Sequence, residues 1–363
     1  MKKKQKQTRV LVLGAGVAGV TAAERLGQAG VEVHLVEKAA GIGGKVRRFG
    51  CKAVEKCLRC NVCLADDLFR RLPQANNVYL RANTELLSLE QGRAGRRYTA
   101  ALAATGGTVP SATLDVDAVV VATGFEPYVP AENSSWGYNR VRNVVTGIDL
   151  EQQLADKNLI TRPSDGSEPK RLAFIQCVGS RTEEVFRRPD DTDYCSTVCC
   201  AYALRMARRI LHHSAGAEVT IFYMDIQNFG KAFGQFYAES QKKISFIRSR
   251  PFEINQSQGD TVRVKYAVES GADGRAVAER DFDLVVLSVG MRPAPEAREL
   301  ADRLKIPLDP QGFFGLKGAS ALPDLQREGI YVAGANEAPK DIAGCIAQAG
   351  AVCAEVLSFL RQI

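Results

Sequence analysis

The chain has 363 residues, 45% hydrophobic and 25% charged, which is enough apolar content for a sizeable core; this excludes a disordered chain and suggests two domains, or one large α/β domain with an insertion. The formal charge of +7 sits largely at one end, where MKKKQKQTR supplies five basic residues and no acid, leaving 43 Lys and Arg against 41 acids. The remaining basic residues are interspersed with acids, so no nucleic-acid footprint is expected, and residues 1–8 read as a flexible basic tail.

The apolar run after the tail, VLVLGAGVAGV, is short, rich in glycine and without a small-residue cleavage site, so it fits a buried strand and turn better than a signal peptide. No stretch is expected to reach the roughly 18 apolar residues that span a membrane. The protein is expected to be soluble and cytoplasmic. In that reducing compartment the ten cysteines, being clustered, point to metal binding or redox chemistry more than to structural disulfides.

Arg9 to Glu37, RVLVLGAGVAGVTAAERLGQAGVEVHLVE, predicts a strand, a turn, a helix and a second strand ending in an acid. Gly14 permits the tight turn, Gly16 lets a pyrophosphate approach the helix N-terminus, and Gly19 lets the helix pack on the strand. Glu37 is placed to accept hydrogen bonds from an adenosine ribose. The glycines alone are a weak signal, but in this order they predict a dinucleotide site that also takes in Val17, Ala18 and Lys38. KAAGIGGKVRR follows, with Gly43, Gly44 and Lys45 at a second place where backbone can approach a ligand closely.

FGCKAVEKCLRCNVCLADD carries Cys51, Cys57, Cys60 and Cys63. The spacing is ferredoxin-like and could hold a second cluster, but CxxC repeats also make zinc sites or dithiol switches, and thiols without function are the third reading. Further on, VDAVVVATGFEP (Val116 to Pro127) predicts a buried strand running into a turn of Ala122, Thr123 and Gly124.

A middle section, about residues 151–292, repeats the plan. RLAFIQ is a strand, RMARRIL ends a helix, GAEVTIFYMD is a strand ending in Asp225, and FDLVVLSVG closes the unit. Where a second glycine fingerprint would cradle NAD(P)H phosphates, CVGSRTEEVFRRPDDTDYCSTVCC offers one glycine, Gly179, and four cysteines: Cys177, Cys195, Cys199 and Cys200. A helix N-terminus stabilises thiolates as it does phosphates, so lowered thiol pKa values are expected. Cys195 and Cys199 share a face if the helix has begun at Cys195, with Cys200 about 100° further round. Neighbouring cysteines form a disulfide only through a strained ring, and four soft ligands suit zinc or an iron–sulfur cluster; buried unliganded thiols are the remaining reading.

Near the C-terminus GIYVAGANEAPKDIAGCIAQAGAVCAEVL predicts a strand, a turn at Gly334 and Ala335, and a helix opening at Asp341 and Ile342. Cys345 and Cys353 on that helix read as small core residues. His34 lies in a strand, while His212 and His213 close a helix, and neither position suggests catalysis. No nucleophile and base set is present, so hydrolytic chemistry is not supported.

The first fingerprint, the GG segment, the ATG turn and the C-terminal strand and helix together resemble the flavin disulfide reductase superfamily, of the type seen in thioredoxin reductase. That resemblance implies an α/β fold of two Rossmann-like dinucleotide-binding-type domains. It implies FAD at the first site, held by residues 9–150 and 293–363, with the adenine contacted by the segment Asn83, Thr84, Glu85, Leu86, and an NAD(P)-domain-like insertion at 151–292. The superfamily commonly has Gly-Asp in the C-terminal turn; here Gly334 is followed by Ala335 and Asn336, so the ribityl contact must be made differently. Beside a flavin, a redox-active cluster is more economical than zinc.

QCVGSR, the following YC, three residues and CC, together with NEAPKDI, resemble the A-type subunits of heterodisulfide reductase, from Arg9 to the end of the chain. This implies a [4Fe–4S] cluster on Cys177, Cys195, Cys199 and Cys200, electron transfer between FAD and the cluster, a homodimer, and partner subunits of a heterodisulfide-reductase-like complex. The methanogen proteins are much longer and carry extra ferredoxin domains. The chain looks like the short homologue of sulfur oxidisers, which implies a role in sulfur-compound oxidation. Two alternatives stand beside it: a self-sufficient NAD(P)H-dependent flavin disulfide reductase, and a zinc- or thiol-stabilised assembly protein.

Overall fold

Runs too continuously apolar for a one-sided strand, such as Val10–Leu13, Val119–Val121 and Leu284–Val289, form the centres of parallel sheets buried on both faces. The structure, a computed structural model, describes residues 7–92, 97–131, 134–188, 191–227, 230–270, 274–314 and 327–363. Residues 1–6 of the expected tail lie outside the described residues. The helices are α1 (Val17–Gln28), α2 (Val62–Arg71), α3 (Gly147–Lys157), α4 (Cys199–His213), α5 (Phe233–Gln241), α6 (Ala297–Leu304) and α7 (Ile342–Leu360).

The chain divides into two compact units. The first comprises the chain up to Arg47, Asn61–Glu126 and Pro293–Ile363; the second comprises Arg48–Cys60 and Pro127–Arg292. Residues 48–60 and 127–150, expected with the first domain, are therefore grouped with the second. Two kinds of contact account for this. The strand Val144–Thr146 pairs with Leu284–Val289 of the second sheet, and the buried Lys52 pairs with Glu151 of α3.

In the first unit a five-stranded parallel sheet runs in the order Ile330–Val332, Ala118–Val121, Arg9–Leu13, Glu32–Val36, Val78–Arg81. A three-stranded antiparallel sheet, Thr84–Gln91, Tyr98–Ala104 and Ala112–Val116, is inserted between its strands. The second unit repeats the order: Val144–Thr146, Leu284–Val289, Arg171–Val178, Glu218–Phe222, Ser245–Ile247, again with a three-stranded antiparallel sheet, Glu253–Gln256, Val262–Ser270 and Gly274–Phe282. The fold is thus α/β, with two Rossmann-type sheets of one topology, and the loop carrying Cys177 to Cys200 occupies in the second the place of the Gly14–Gly19 turn in the first.

One expectation is corrected here. α7 has 19 residues and a mean hydropathy of 1.6, long and apolar enough to cross a membrane by length and composition. The residues missed as a run are alanines and glycines mixed with Ile, Val and Leu. α7 packs on α1 within the first unit, where Cys345, Ala349, Val352, Cys353 and Val356 are buried and Cys353 Sγ lies 3.7 Å from the carbonyl oxygen of Ala22. Packing on α1 therefore buries part of this apolar surface within the first unit.

Candidate functional site: a glycine cradle and a four-thiol loop

In the first unit, four segments distant in sequence meet where only glycine leaves room. Gly14 has φ +97°, and a Cβ there would sit 2.5 Å from the carbonyl oxygen of Ala122. A Cβ on Gly19 would lie 1.8 Å from the carbonyl oxygen of Gly14, so α1 packs directly on the turn. Gly44 approaches the α-carbon of Gly16, and Gly334 approaches Ala18. Gly43 N–H donates to Ala15 O at 2.7 Å, tying the GG segment to the first turn. A Cβ on Gly16, the N-cap of α1, would meet no protein atom within 4 Å, which leaves the helix N-terminus room for an anion; Gly124 is likewise open.

Glu37 is held by backbone donors, accepting from Ala15 N at 2.7 Å and from Ala39 N at 2.8 Å. It lines a pocket of about 120 Å³ together with Gly14, Lys38, Glu85, Leu86 and Thr123, all six expected at the site. The pocket is closed by Glu296, Glu299, Leu300 and Arg303 at the start and along α6, which carry no fingerprint in the sequence. Lys38 pairs with Glu296, and Lys45 with Glu126 at 2.7 Å. Gly334 N–H donates to Gln348 at 2.7 Å, and Asp341 caps α7 by accepting from Gly344 N at 2.7 Å, with Ala335 and Ile342 following these two residues in the chain. Two buried polar atoms, Thr123 Oγ1 and Asn336 Oδ1, have no partner among the described residues. A glycine-lined cradle with an open helix N-terminus and orphaned acceptors fits the dinucleotide implied by the sequence. Asn336, buried and donating to Val121 O at 3.1 Å, follows Ala335, the residue in the place of the superfamily's acid.

In the second unit the strand Arg171–Val178 breaks register between Ile175 and Val178, and Cys177 sits in the break with φ +59°. α4 begins at Cys199, not at Cys195. The shared helical face imagined for Cys195 and Cys199 is therefore not formed: Cys195 lies in the preceding loop, where its sulfur accepts from Thr197 N at 3.3 Å. The loop is locked by Arg181 N to Tyr194 O at 3.2 Å, Thr192 N to Gly179 O at 3.0 Å and Met291 N to Ser196 Oγ at 2.8 Å. Cys177, Cys199 and Cys200 are buried and Cys195 half-buried.

Burial pushes three of these thiols up, Cys199 well above the ordinary thiol range, Cys200 to about 12 and Cys177 in the same direction, and the neighbouring sulfurs add to the effect. The lowered values expected at a helix N-terminus are thus outweighed by desolvation and by mutual repulsion of the thiolates. A cationic metal core reverses that balance, because a coordinating thiol gives up its proton. Next to Cys177, Gln176 is buried with both amide atoms unpartnered among the described residues, and Arg181 and Arg250 act on Cys177 as positive charges. Three buried soft donors and one half-buried, with two guanidinium groups acting on Cys177, suit the chemistry of an anionic iron–sulfur cluster. Among the described residues no three His, Cys, Asp or Glu side chains converge closely enough to grip a single metal ion.

The second cysteine set is divided by the fold. Cys51, Cys57 and Cys60 lie on the segment 48–60 of the second unit, and Cys63 lies in the first turn of α2 in the first unit. Cys51, Cys57 and Cys63 are exposed and Cys60 half-buried. Arg209 and Arg205 of α4 hold the segment by donating to Ala53 O at 2.9 Å and Leu58 O at 2.8 Å. Cys345 and Cys353 are buried in α7, their thiols pushed up by burial to about 11 each.

The pyridine nucleotide-disulphide oxidoreductase family matches residues 8–162. The A-type subunit of the H(2):CoB-CoM heterodisulfide,ferredoxin reductase of Methanothermobacter thermautotrophicus is 39% identical over 248 residues, covering 66% of this chain and 36% of that protein. The second A-type iron-sulfur subunit of the CoB--CoM heterodisulfide reductase of Methanopyrus kandleri is 32% identical, covering 97% of this chain and 64% of that protein. The chain thus spans between about a third and two thirds of the length of these relatives. Among solved structures, thioredoxin reductase from T. acidophilum aligns with a TM-score of 0.61 at 18% identity, over 98% of this chain and 99% of that chain, a likeness of fold.

Proposed function

Since the chain belongs to the family of heterodisulfide reductase A-type subunits, within the flavin disulfide reductase superfamily, we propose that it is an FAD- and [4Fe–4S]-containing electron-transfer subunit of a heterodisulfide-reductase-like complex. The observation that carries this reading is that, in a Rossmann-type sheet, a loop bearing Cys177 and Cys195 and leading to Cys199 and Cys200 at the start of α4 stands in the place of a phosphate-binding turn. When bound, FAD supplies conversion between two-electron and one-electron transfer, and the cluster supplies one-electron relay. The protein's part is to bind and orient. The backbone around Gly14, Gly16 and Gly19 receives the pyrophosphate, Glu37 and its neighbours line the nucleoside end, and Asn336 offers the acceptor that the ribityl chain or flavin ring requires.

The finer reading is work in the cytoplasm on sulfur-compound oxidation, as a homodimer docked to other subunits. The partner subunits are supported by the resemblance of QCVGSR, YC and CC to A-type subunits, which are named as parts of heterodisulfide reductases. Iron, zinc, acid-labile sulfide and FAD per chain, measured on anaerobically purified protein with its visible spectrum, test the assignment. About four irons and four sulfides per flavin support one cluster, and about eight mean that Cys51, Cys57, Cys60 and Cys63 are loaded too. Flavin with no iron, reducible by NAD(P)H, would replace this reading with a dithiol reductase.

A further inference from the structure

Because the two parallel sheets share one strand order, the acid that follows the second strand has a counterpart in each: Glu37 in the first unit and Asp225 in the second. Glu37 binds its own backbone, both carboxylate oxygens accepting from N–H groups of Ala15 and Ala39. Asp225 is engaged differently. Its carboxylate takes both terminal nitrogens of Arg181, Nη2 reaching Oδ2 at 2.9 Å and Nη1 reaching Oδ1. The partners belong to the thiol loop: Arg181 lies four residues after Cys177, its N–H donates to the carbonyl of Tyr194, the neighbour of Cys195, and the Asp225 carbonyl oxygen lies 4.0 Å from Cys200 Sγ. Arg181 has φ +56°, a left-handed conformation that a non-glycine residue holds only under constraint.

We infer that Arg181, aimed and partly neutralised by Asp225, is a positioning residue whose charge sets the reduction potential of the cluster on Cys177, Cys195, Cys199 and Cys200. The inference rests on the proposed cluster. Reduction adds one negative charge to the cluster, and a fixed guanidinium beside it favours the reduced state, raising the potential; the carboxylate of Asp225 opposes that effect. Arg181 is charged at every accessible pH, so the bias is permanent. Burial pushes the Cys177 thiol up while Arg181 pulls it down, as a positive charge in contact should. The side chains of Arg181 and Asp225 are 26% and 41% exposed, so solvent screens the effect in part without removing it.

The test is a potentiometric titration of the anaerobic holoprotein with dithionite, following the cluster by EPR, with iron, sulfide and FAD quantified in each preparation. Arg181→Gln is expected to shift the midpoint to more negative values, Asp225→Asn to more positive values, and Arg181→Lys to leave it near wild type, all with unchanged iron content. Equal midpoints, shifts of one sign in both neutralising variants, or loss of iron in Arg181→Lys would each overturn the inference and leave the pair a purely structural tie. Absence of iron from the wild-type protein would instead sink the proposed function itself.

Discussion

Lys52 and Glu151 form an ion pair with only 3% and 6% of their side chains exposed, across 99 residues of sequence. Glu151 also accepts from Gly50 N at 3.1 Å, so α3 fixes the start of the segment that carries Cys51, Cys57 and Cys60. Removing one partner strands a buried charge. Glu151→Leu or Lys52→Met alone is expected to cost about 3–5 kcal/mol in urea unfolding, and the double variant to recover most of that loss. Thiol-reagent labelling of Cys51 should accelerate in the single variants. If the single variants cost no more than breaking the exposed Lys56–Glu239 pair, the clamp does not hold the segment.

Gly16 and Gly19 separate ligand binding from folding. Gly16→Val meets no protein atom and should yield a folded protein that purifies colourless, with native circular dichroism. Gly19→Ala drives a methyl into the carbonyl of Gly14 and should lower the melting temperature by several degrees as well. A yellow Gly16→Val protein would contradict the pyrophosphate position.

The cysteines should sort by location. Cys199→Ser is expected to remove the cluster absorbance and most of the iron while FAD stays bound, whereas Cys345→Ser and Cys353→Ser, in the core of α7, should keep full iron at a modest stability cost. Full iron in Cys199→Ser, or iron loss in the α7 variants, would reassign the ligands.

His34 gives the first unit an acid-sensitive step. Its Nε2 lies 2.9 Å from Glu32 in a buried strand, and burial pushes its pKa below the usual 6.5. The unfolded chain therefore binds this proton more tightly. The stability that neutral His34 contributes is present above pH 6.5 and is lost as pH falls below it, through the lowered folded value. Denaturation curves between pH 7.5 and 5.5 should show a falling midpoint in the wild type and a flatter one in His34→Gln; identical slopes would assign the effect elsewhere.

Much of this architecture is written locally. The order of apolar run, glycine turn, amphipathic helix and second apolar run ending in an acid is readable twice, at Arg9–Glu37 and at Arg171–Asp225, because short-range periodicity and turn chemistry decide those elements. The position of residues 48–60 was not readable. It depends on single polar contacts from Glu151, Arg205 and Arg209, between 99 and 156 residues away, which leave no periodic trace. The sequence marked the glycines that the fold brings together around Gly14 and the cysteines of the loop before α4. Asn336, Gln176 and the α6 residues Glu299, Leu300 and Arg303 were not readable, because only folding shows which polar atoms end up buried and orphaned. Arg181 stood in plain view in QCVGSR, but its role needs Asp225 beside it.

The thiol loop holds three non-glycine residues in the left-handed region, Cys177 at φ +59°, Arg181 at +56° and Thr197 at +58°. Each such residue costs about 1–2 kcal/mol relative to an ordinary backbone. The backbone cost of these bends must be offset by contacts made within the loop. If the proposed cluster binds there, it would offset the cost of those bends, and the loop should be more protected with it than without it. Nascent chains that miss their inorganic partner should be recognisable by proteolytic cutting in this loop while both sheets remain intact.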